Sequence, residues 1–158
     1  MRRRLFLAVA GAVAFAGMAV QHSVAADSAD AVVKAYVAAW NAHDSAKAAG
    51  YFADKVVYYD ASVGKPIEGR DAAIDNFLTA VPDAVWTMKG EPVVQGDRVA
   101  FEWEFAGNNT GPWSDGTAAT GKHFSFTGAS VFSINDGKIT AQSDYYDALG
   151  FYKQLGLM

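Results

Sequence analysis

The chain has 158 residues, with 13 lysines and arginines against 17 aspartates and glutamates, and no cysteine. A net negative charge without a basic run is not expected of a protein that binds nucleic acid or anionic membranes, so neither is predicted as a partner. The lack of cysteine excludes a disulfide, a thiolate metal site and a cysteine nucleophile.

The first 25 residues are typical of a secretory signal peptide. Arginines at positions 2–4 precede an apolar run over residues 5–20, and small residues follow at Ser23 and Ala25, where a signal peptidase would cleave. The run is shorter than the roughly 20 residues that span a bilayer, which favours cleavage over a membrane anchor. The Arg3-Arg4 pair resembles a twin-arginine signal. The sequence predicts a bacterial periplasmic or secreted protein, exported by the Sec or twin-arginine route, without stable membrane association after cleavage.

Residues 26–158 are predicted to form one domain with one core. They keep all 17 acidic residues but only 10 basic ones, which gives a net charge of −7. Their two histidines, His43 and His123, lack the HxH or HxxxH spacing of a transition-metal site, so no metal is predicted. The glycine-rich motifs of dinucleotide- and phosphate-binding loops are also missing, and no cofactor is predicted.

Three helices are predicted at the start of this domain. Apolar residues recur at helical spacing between Ser28 and Ala42, which indicates an amphipathic helix that faces the core. Asp44 stands where the N-cap of a second short helix, running to Phe52, is expected. Residues 56–60 favour a strand and residues 65–69 a turn. A third helix is predicted over residues 71–80, ending before a proline.

After Pro82 the sequence pattern changes to a two-residue period. Short strands are predicted over residues 84–88 and 92–95, and apolar side chains alternate along a longer strand over residues 99–106. The polar loop at 107–121 is long enough to be functional rather than merely connective. Two long strands then meet at a tight Asn-Asp-Gly turn, and a short helix closes the chain. Helices followed by antiparallel strands predict an α+β domain, with helices packed on one face of a curved antiparallel sheet.

Five short motifs occur in this order: residues 36–44 in the first helix, residues 69–72 at the start of the third, residues 120–122 before a strand, residues 136–139 at the hairpin, and Asp147 with residues 154–156. Together they resemble the SnoaL-like polyketide cyclase family of the nuclear-transport-factor-2-like superfamily. The resemblance implies a cone-shaped fold, a homodimer, and a pocket for a small hydrophobic molecule. It leaves the activity open, because isomerases, dehydratases, cyclases, epoxide hydrolases and binding proteins share this fold.

The resemblance makes Asp147 the first candidate for a catalytic group, because related cyclases carry an acid–base aspartate near the end of the last strand. Strict alternation from Ile139 would place Asp147 on the less polar face of that strand. The alternative is that Asp147 only caps the closing helix. Asp144 and Tyr146 are further catalytic candidates. They are an odd number of residues away from Asp147, which places them on the other face of the strand. That face is expected to be solvated or to face a dimer partner, unless a β-bulge exchanges the two faces.

Asn109 stands where related cyclases often have a histidine, and an asparagine there could polarise a substrate oxygen but could not exchange a proton. His123 is a candidate replacement in the ligand site, although a surface position is favoured. Asp60 could enter the cavity, but a role in the following turn is preferred. Aromatic side chains are the candidate walls of the ligand pocket; they are Tyr36, Trp40, Tyr58, Trp86, Trp103 and Phe126.

Two main functions remain open from the sequence. The first is a cofactor-free enzyme that performs acid–base chemistry on a small hydrophobic compound, of isomerase, cyclase, dehydratase or hydrolase type. The second is a binding protein that uses the same pocket for an apolar ligand. A third possibility is an interaction domain whose main purpose is dimerisation.

Overall fold

The computed structural model describes residues 28–67 and 70–158. The predicted signal peptide and Gly69 of the third-helix motif lie outside these residues. The helices are α1 (Ala29–Asn41), α2 (Ser45–Ala49), α3 (Arg70–Ala80) and α4 (Ala148–Leu155). The strands are β1 (Phe52–Asp60), β2 (Lys65–Ile67), β3 (Val85–Gln95), β4 (Arg98–Asn108), β5 (His123–Asn135) and β6 (Lys138–Tyr146). Along the described chain, no helix is both long enough and apolar enough to cross a membrane.

The six strands form one curved, unclosed sheet in the order β2-β1-β6-β5-β4-β3, so the predicted α+β architecture is confirmed. Four of the five strand pairs are antiparallel, but β1 and β6 run parallel, which corrects the expectation of an antiparallel sheet throughout. No hairpin joins β1 and β6. The chain passes through α3 and three long strands between them and therefore enters β6 in the same direction as β1.

The amphipathic first helix is confirmed, and its apolar face packs on the sheet. Val33 and Tyr36 are almost fully buried, and the Tyr36 ring meets the ring of Phe132 on β5 edge to face, with 6.0 Å between centroids. Such aromatic pairs stabilise a core beyond the area they bury. Asp44 accepts a hydrogen bond from the Lys47 amide at 2.9 Å, which confirms it as the N-cap of α2.

Three element boundaries differ from the sequence prediction. The second helix ends at Ala49, because the chain turns into β1 at Phe52, earlier than expected. The predicted turn at residues 65–67 pairs with the end of β1 as the edge strand β2. The two short strands after Pro82 form one strand, β3, whose pairing with β4 is interrupted around Gly90, a residue with φ of 71°.

The hairpin between β5 and β6 forms as predicted. Asp136 and Gly137 have φ values of 49° and 72°, the left-handed geometry of a two-residue turn whose twist matches the flanking strands. Beyond the turn, Ser133 pairs with Ala141 whereas Ile134 pairs with Ile139. Thr140 is therefore an extra residue on β6, which defines a β-bulge.

Candidate active site

A cavity of about 140 Å³ lies on the concave face of the sheet, beneath α1, α3 and α4. Its walls are mostly aromatic and include three tyrosines, and three carboxylate or amide side chains interrupt them. The lining residues are Tyr36, Trp40, Phe52, Tyr58, Asp60, Ala73, Ile74, Phe77, Trp86, Trp103, Phe105, Phe126, Gln142, Asp144, Tyr146 and Phe151. All six aromatic residues predicted to form the pocket thus line one cavity.

The bulge at Thr140 decides which side chains of β6 enter this cavity. Ile139 is fully buried before the bulge, and strict alternation from it would direct Ser143 and Tyr145 inward. The extra residue exchanges the two faces. Asp144 consequently lines the cavity, whereas the Tyr145 side chain is half exposed on the outer face. The favoured solvent- or dimer-facing position of Asp144 and Tyr146 is therefore wrong, and the alternative of a β-bulge that exchanges the two faces describes the strand.

The Asp144 carboxyl group is held by a buried hydrogen-bond network. The Ser130 hydroxyl donates to Asp144 Oδ1 at 2.5 Å, and the indole N–H of Trp103 donates to Ser130 Oγ at 2.8 Å. The Gln142 amide Nε2 donates to both Asp144 oxygens, at 3.1 and 2.9 Å. Because its neighbours are fixed in turn by a tryptophan and by strand pairing, the carboxyl group has a defined position in the cavity.

Burial raises the pKa of Asp144 from an ordinary 3.8 to about 6. Desolvation is the main cause, because it disfavours the charged form. Hydrogen bonds from Ser130, Gln142 and Tyr58 oppose this effect, and the negative charge of Asp60 adds to it. In the same environment, burial and the charge of Asp144 raise the pKa of the Tyr58 hydroxyl well above its ordinary value. The cavity thus contains a carboxyl group that changes protonation close to neutral pH.

Asp60 provides a second carboxylate beside Asp144, since the two residues are direct neighbours in the β1–β6 register. The Tyr146 hydroxyl donates to Asp60 Oδ2 at 3.1 Å, and the Ser62 hydroxyl and amide donate to Oδ1 at 2.6 and 2.8 Å. Burial raises the pKa of Tyr146. Asp60 therefore performs both roles that the sequence left open: it caps the turn after β1 and lines the cavity.

Three buried polar atoms of the cavity walls have no hydrogen-bond partner among the described residues. They are the indole Nε1 of Trp40, the indole Nε1 of Trp86 and the amide Oε1 of Gln142. Buried polar groups are paired in the large majority of cases, so these three atoms are exceptions.

Asp147 lies outside the cavity, so its predicted place on the inner face is wrong. It accepts a hydrogen bond from the Gly150 amide at 2.8 Å as the N-cap of α4, and it is exposed. Two features cause the difference: the bulge at Thr140 changes the parity of β6, and the strand ends at Tyr146. The capping alternative describes its position correctly.

Asn109 and His123 are also placed away from the cavity. Asn109 is fully buried at the start of the long polar loop, where its Nδ2 donates to the carbonyl groups of Ala80 and Gly111 at 3.1 and 2.9 Å. Its Oδ1 accepts from the Thr120 amide at 2.8 Å. The side chain is thus occupied in fixing the loop and does not face a ligand. His123 is exposed at the first position of β5.

Sequence reasoning missed several residues of the site. Gln142 lies two residues before Asp144 and therefore on the same face of β6, so a correctly placed bulge would have predicted both in the cavity. No local sequence pattern indicates Ser130. Phe151 of the closing helix α4 also forms a cavity wall, although it is not among the predicted pocket residues. No group of three or more histidine, cysteine, aspartate or glutamate residues that could hold a metal occurs within residues 28–67 and 70–158.

A second cavity of about 520 Å³ lies outside the first, between the long loop and the C-terminal residues. Its walls include Trp113, Tyr152 and Met158, and Phe151 borders both cavities. The Phe151 ring packs on Trp113 with 6.1 Å between centroids and on Phe126 with 4.8 Å. Phe151 therefore lies between the two cavities.

Solved structures with the same fold are numerous. TsrD from Streptomyces laurentii is 30% identical, with a TM-score of 0.69, and the alignment covers 84% of this chain and 98% of that one. AclR from Streptomyces galilaeus is 23% identical, with a TM-score of 0.71 and coverage of 82% and 96%. An LEH-like epoxide hydrolase from M. tuberculosis is 23% identical, with a TM-score of 0.60 and coverage of 82% and 90%.

No curated protein matches the sequence significantly. The sequence profile of the SnoaL-like polyketide cyclase family matches residues 30–155, which include every residue that lines the inner cavity. The chain therefore belongs to the SnoaL-like polyketide cyclase family.

Proposed function

We propose that the protein is a cofactor-independent enzyme that transfers a proton on a small hydrophobic compound, with Asp144 as its general base. The observation that supports this most strongly is the Asp144 carboxyl group, which is buried in an aromatic cavity with a pKa of about 6. A general base works best when its pKa lies near the operating pH, because it is then both ionised and able to bind a proton. At pH 7, about nine in ten Asp144 carboxyl groups would be ionised.

The surrounding groups support a proton transfer at Asp144. Ser130 and Gln142 hold the carboxylate by donated hydrogen bonds, which fix its position during the reaction. The aromatic walls exclude water and strengthen the electrostatic interactions within the cavity. A carboxylate in this setting can take a proton from an activated carbon or from a water molecule and return it later in the cycle. Asp60 remains paired with Tyr146 and Ser62 throughout.

The size of the cavity restricts the compound. Cavities near 150 Å³ with apolar walls hold one benzene molecule. The inner cavity of about 140 Å³ therefore accommodates one six-membered ring, and a larger compound requires Phe151 to move toward the outer cavity. This supports a single-ring compound, or one ring of a larger compound, as the substrate.

The experiment that tests this function is a comparison of Asp144→Asn with the parent protein on a panel of small cyclic ketones, enones and epoxides. Asparagine preserves the size of the side chain but removes the group that accepts the proton, so turnover should fall by about 10²- to 10⁴-fold. Asp147→Asn is the matched control, because it removes one carboxylate outside the cavity. If only Asp147→Asn abolished turnover, the assignment of Asp144 would be wrong.

A second function, a non-catalytic binding protein, is favoured by one observation. The aspartate that carries the family resemblance at the strand end, Asp147, caps a helix and does not contact the cavity. Under this alternative, the panel shows binding but no turnover, and Asp144→Asn leaves the affinity for a neutral ligand almost unchanged.

We also propose that the protein acts after export, as a homodimer in the periplasm or medium. The outer face of β1 and β6 supports the dimer, because Val57 and Tyr145 are about half exposed there and the ring of Tyr59 packs beside Tyr145. Light scattering should give twice the mass of the cleaved chain, and Tyr145→Glu should shift the protein toward the monomer. Mass spectrometry of the secreted form should place the N-terminus at residue 26. An N-terminus at Met1 in the periplasmic or secreted protein would contradict export with cleavage.

A further inference from the structure

We propose that Trp103 is a positioning residue for the proposed general base. Its indole N–H fixes the direction in which the Ser130 hydroxyl donates, and this stabilises the carboxylate of Asp144. The three side chains are buried and connected in series, from Trp103 to Ser130 and from Ser130 to Asp144. The inference deepens the proposed function and rests on it for any effect on turnover, but the coupling of Trp103 to Asp144 is measurable without a substrate.

The chemistry of the groups allows one direction of donation. An indole nitrogen only donates, so the Ser130 hydroxyl oxygen is the acceptor in its 2.8 Å contact with Trp103. The single proton of this hydroxyl cannot occupy the position that faces the indole N–H. A second contact of the same oxygen is with Asp144 Oδ1 at 2.5 Å, so the proton is directed onto the carboxylate. A donated hydrogen bond stabilises a carboxylate relative to the neutral acid.

Gln142, a neighbouring donor, has no comparable constraint. Its amide Nε2 donates to both oxygens of Asp144, but its buried Oε1 has no hydrogen-bond partner among the residues that the structure describes. Rotation of the amide by about 180° would put an acceptor where the donor lies and would break no hydrogen bond of Oε1. Ser130 therefore differs from Gln142 in that another side chain fixes its direction.

Gly128 provides the space in which the Trp103 ring lies. It stands directly opposite Trp103 in the β4–β5 register and two residues before Ser130 on β5. A Cβ atom at this position would overlap the Trp103 ring and the backbone carbonyl oxygen of Tyr145. A glycine inside a strand often marks such a close approach. Because a side chain here would displace the ring or the neighbouring strand, Gly128 is part of the same positioning arrangement.

Four other titratable side chains share the cavity with Asp144, and they are Tyr36 of α1, Tyr58 and Asp60 of β1, and Tyr146 of β6. A hydrogen bond from Tyr58 lowers the pKa of Asp144, and the negative charge of Asp60 raises it. Both effects arise from β1, whereas Trp103 lies on β4. The Trp103 ring also packs beside Tyr146, with 6.3 Å between centroids, so a replacement must keep an aromatic ring there.

Nuclear magnetic resonance of the parent protein tests the coupling directly. Labelling with ¹⁵N gives one indole N–H signal for each of the four tryptophans, and labelling of the aspartate carboxyl carbons with ¹³C follows the ionisation of Asp144. The Trp103 signal should move with the Asp144 midpoint, near pH 6, and should lose this response in Ser130→Ala. The Trp113 signal is the control and should not follow that midpoint, because its indole donates to the neutral Asn109. A Trp103 signal that does not follow Asp144, or that follows it equally in Ser130→Ala, would overturn the inference.

Variants test the route by which Trp103 acts. Trp103→Phe should raise the midpoint of the Asp144 titration by about half a pH unit to one pH unit, a change of about 3- to 10-fold in the ionisation constant, because the Ser130 hydroxyl then turns freely. The same substitution in Ser130→Ala should have no further effect, since the route is already broken. Trp86→Phe is the matched control and should leave the midpoint in place, because it removes an indole of the same cavity that has no bond to Ser130. An effect of Trp103→Phe that persists in Ser130→Ala, or an equal effect of Trp86→Phe, would refute the route through Ser130.

Gly128→Ala tests the placement of the ring. It retains the hydrogen-bonding side chains of Trp103, Ser130 and Asp144 but should displace the indole, so the Trp103 signal should lose its response to the Asp144 titration. A full response in Gly128→Ala would show that Gly128 has no part in the arrangement.

These titrations separate the inference from the proposed function, because they need no substrate. A Trp103 signal that follows Asp144, in a protein that turns over none of the ketones, enones and epoxides, would refute the proposed enzyme but keep the coupling. Turnover that depends on Asp144, without a response of the Trp103 signal, would refute the role of Trp103 but keep the enzyme. Where turnover occurs, Trp103→Phe should move the acid limb of the rate profile to higher pH, together with the Asp144 midpoint.

Discussion

Replacement of Asp144 by asparagine should make the variant gain stability relative to the parent protein as the pH rises from acid to neutral. The carboxyl group has a pKa of about 6 in the folded protein and 3.8 in its ordinary state. At about 1.4 kcal/mol for each pH unit, this difference makes the ionised form about 3 kcal/mol less favourable in the folded protein than in the unfolded chain. Asparagine is isosteric and never ionises, so it does not carry this cost.

The sign of the stability difference follows from the direction in which folding shifts the pKa of Asp144. A group whose folded-state pKa is raised contributes most to stability below its unfolded pKa, and this contribution is lost as the pH rises through the folded-state value. The free energy of unfolding of the parent protein, relative to that of Asp144→Asn, should therefore decrease between about pH 4 and pH 7. The full change should be about 3 kcal/mol, and it should level off above about pH 7.

Urea unfolding followed by tryptophan fluorescence measures this difference at several pH values and a fixed protein concentration. Asp147→Asn is the matched control for the loss of one negative charge, because it caps an exposed helix end. The reasoning would be refuted by a difference between parent and Asp144→Asn that does not change from pH 4 to pH 8. A variant that becomes less stable than the parent as the pH rises would refute it as well.

Three other changes test separate parts of the site. Ser130→Ala removes a hydrogen bond that lowers the pKa of Asp144, so the acid limb of the rate profile should move to higher pH; an unchanged or lower midpoint would contradict this. Phe151→Ala removes a side chain that borders both cavities, so the free energy of unfolding should fall by about 3–5 kcal/mol in a thermal unfolding experiment. The enlarged space should also let two-ring ketones bind more tightly than they bind to the parent protein, which titration calorimetry can measure. Asn109→Ala should cost about 1–3 kcal/mol of stability through the loop it holds but leave cyclohexanone affinity unchanged; a large loss of affinity would return Asn109 to the ligand site.

The local elements of this fold were predictable from the sequence, because each depends on a short-range pattern. The apolar stripe of α1 follows from helical spacing, and the β5–β6 turn follows from Asp136-Gly137, whose left-handed geometry those residue types tolerate. The parallel pairing of β1 with β6 was not predictable in this way. It depends on where the chain returns after four intervening strands, and no local pattern records that.

The errors in the candidate site have one main physical cause. Alternation assigned Asp147 to the cavity face and Asp144 to the outer face, and the single extra residue Thr140 reverses both assignments. Nothing in the residue type of Thr140 indicates a bulge, since threonine is a common strand residue. The aromatic walls were easier to predict, because large apolar side chains such as Trp86 are usually buried in a small domain.

The central claim, that Asp144 removes a proton from a ligand in this cavity, is tested most directly by hydrogen–deuterium exchange. The protein is incubated in D₂O with cyclohexanone, and the loss of the proton signals next to the carbonyl is followed by nuclear magnetic resonance. The parent protein should accelerate exchange, with a rate that rises as the pH passes about 6. Asp144→Asn should reduce this acceleration by about 10²- to 10⁴-fold, while Asp147→Asn retains it. Exchange in Asp144→Asn at more than about half the parent rate, or no acceleration by the parent protein, would contradict the claim.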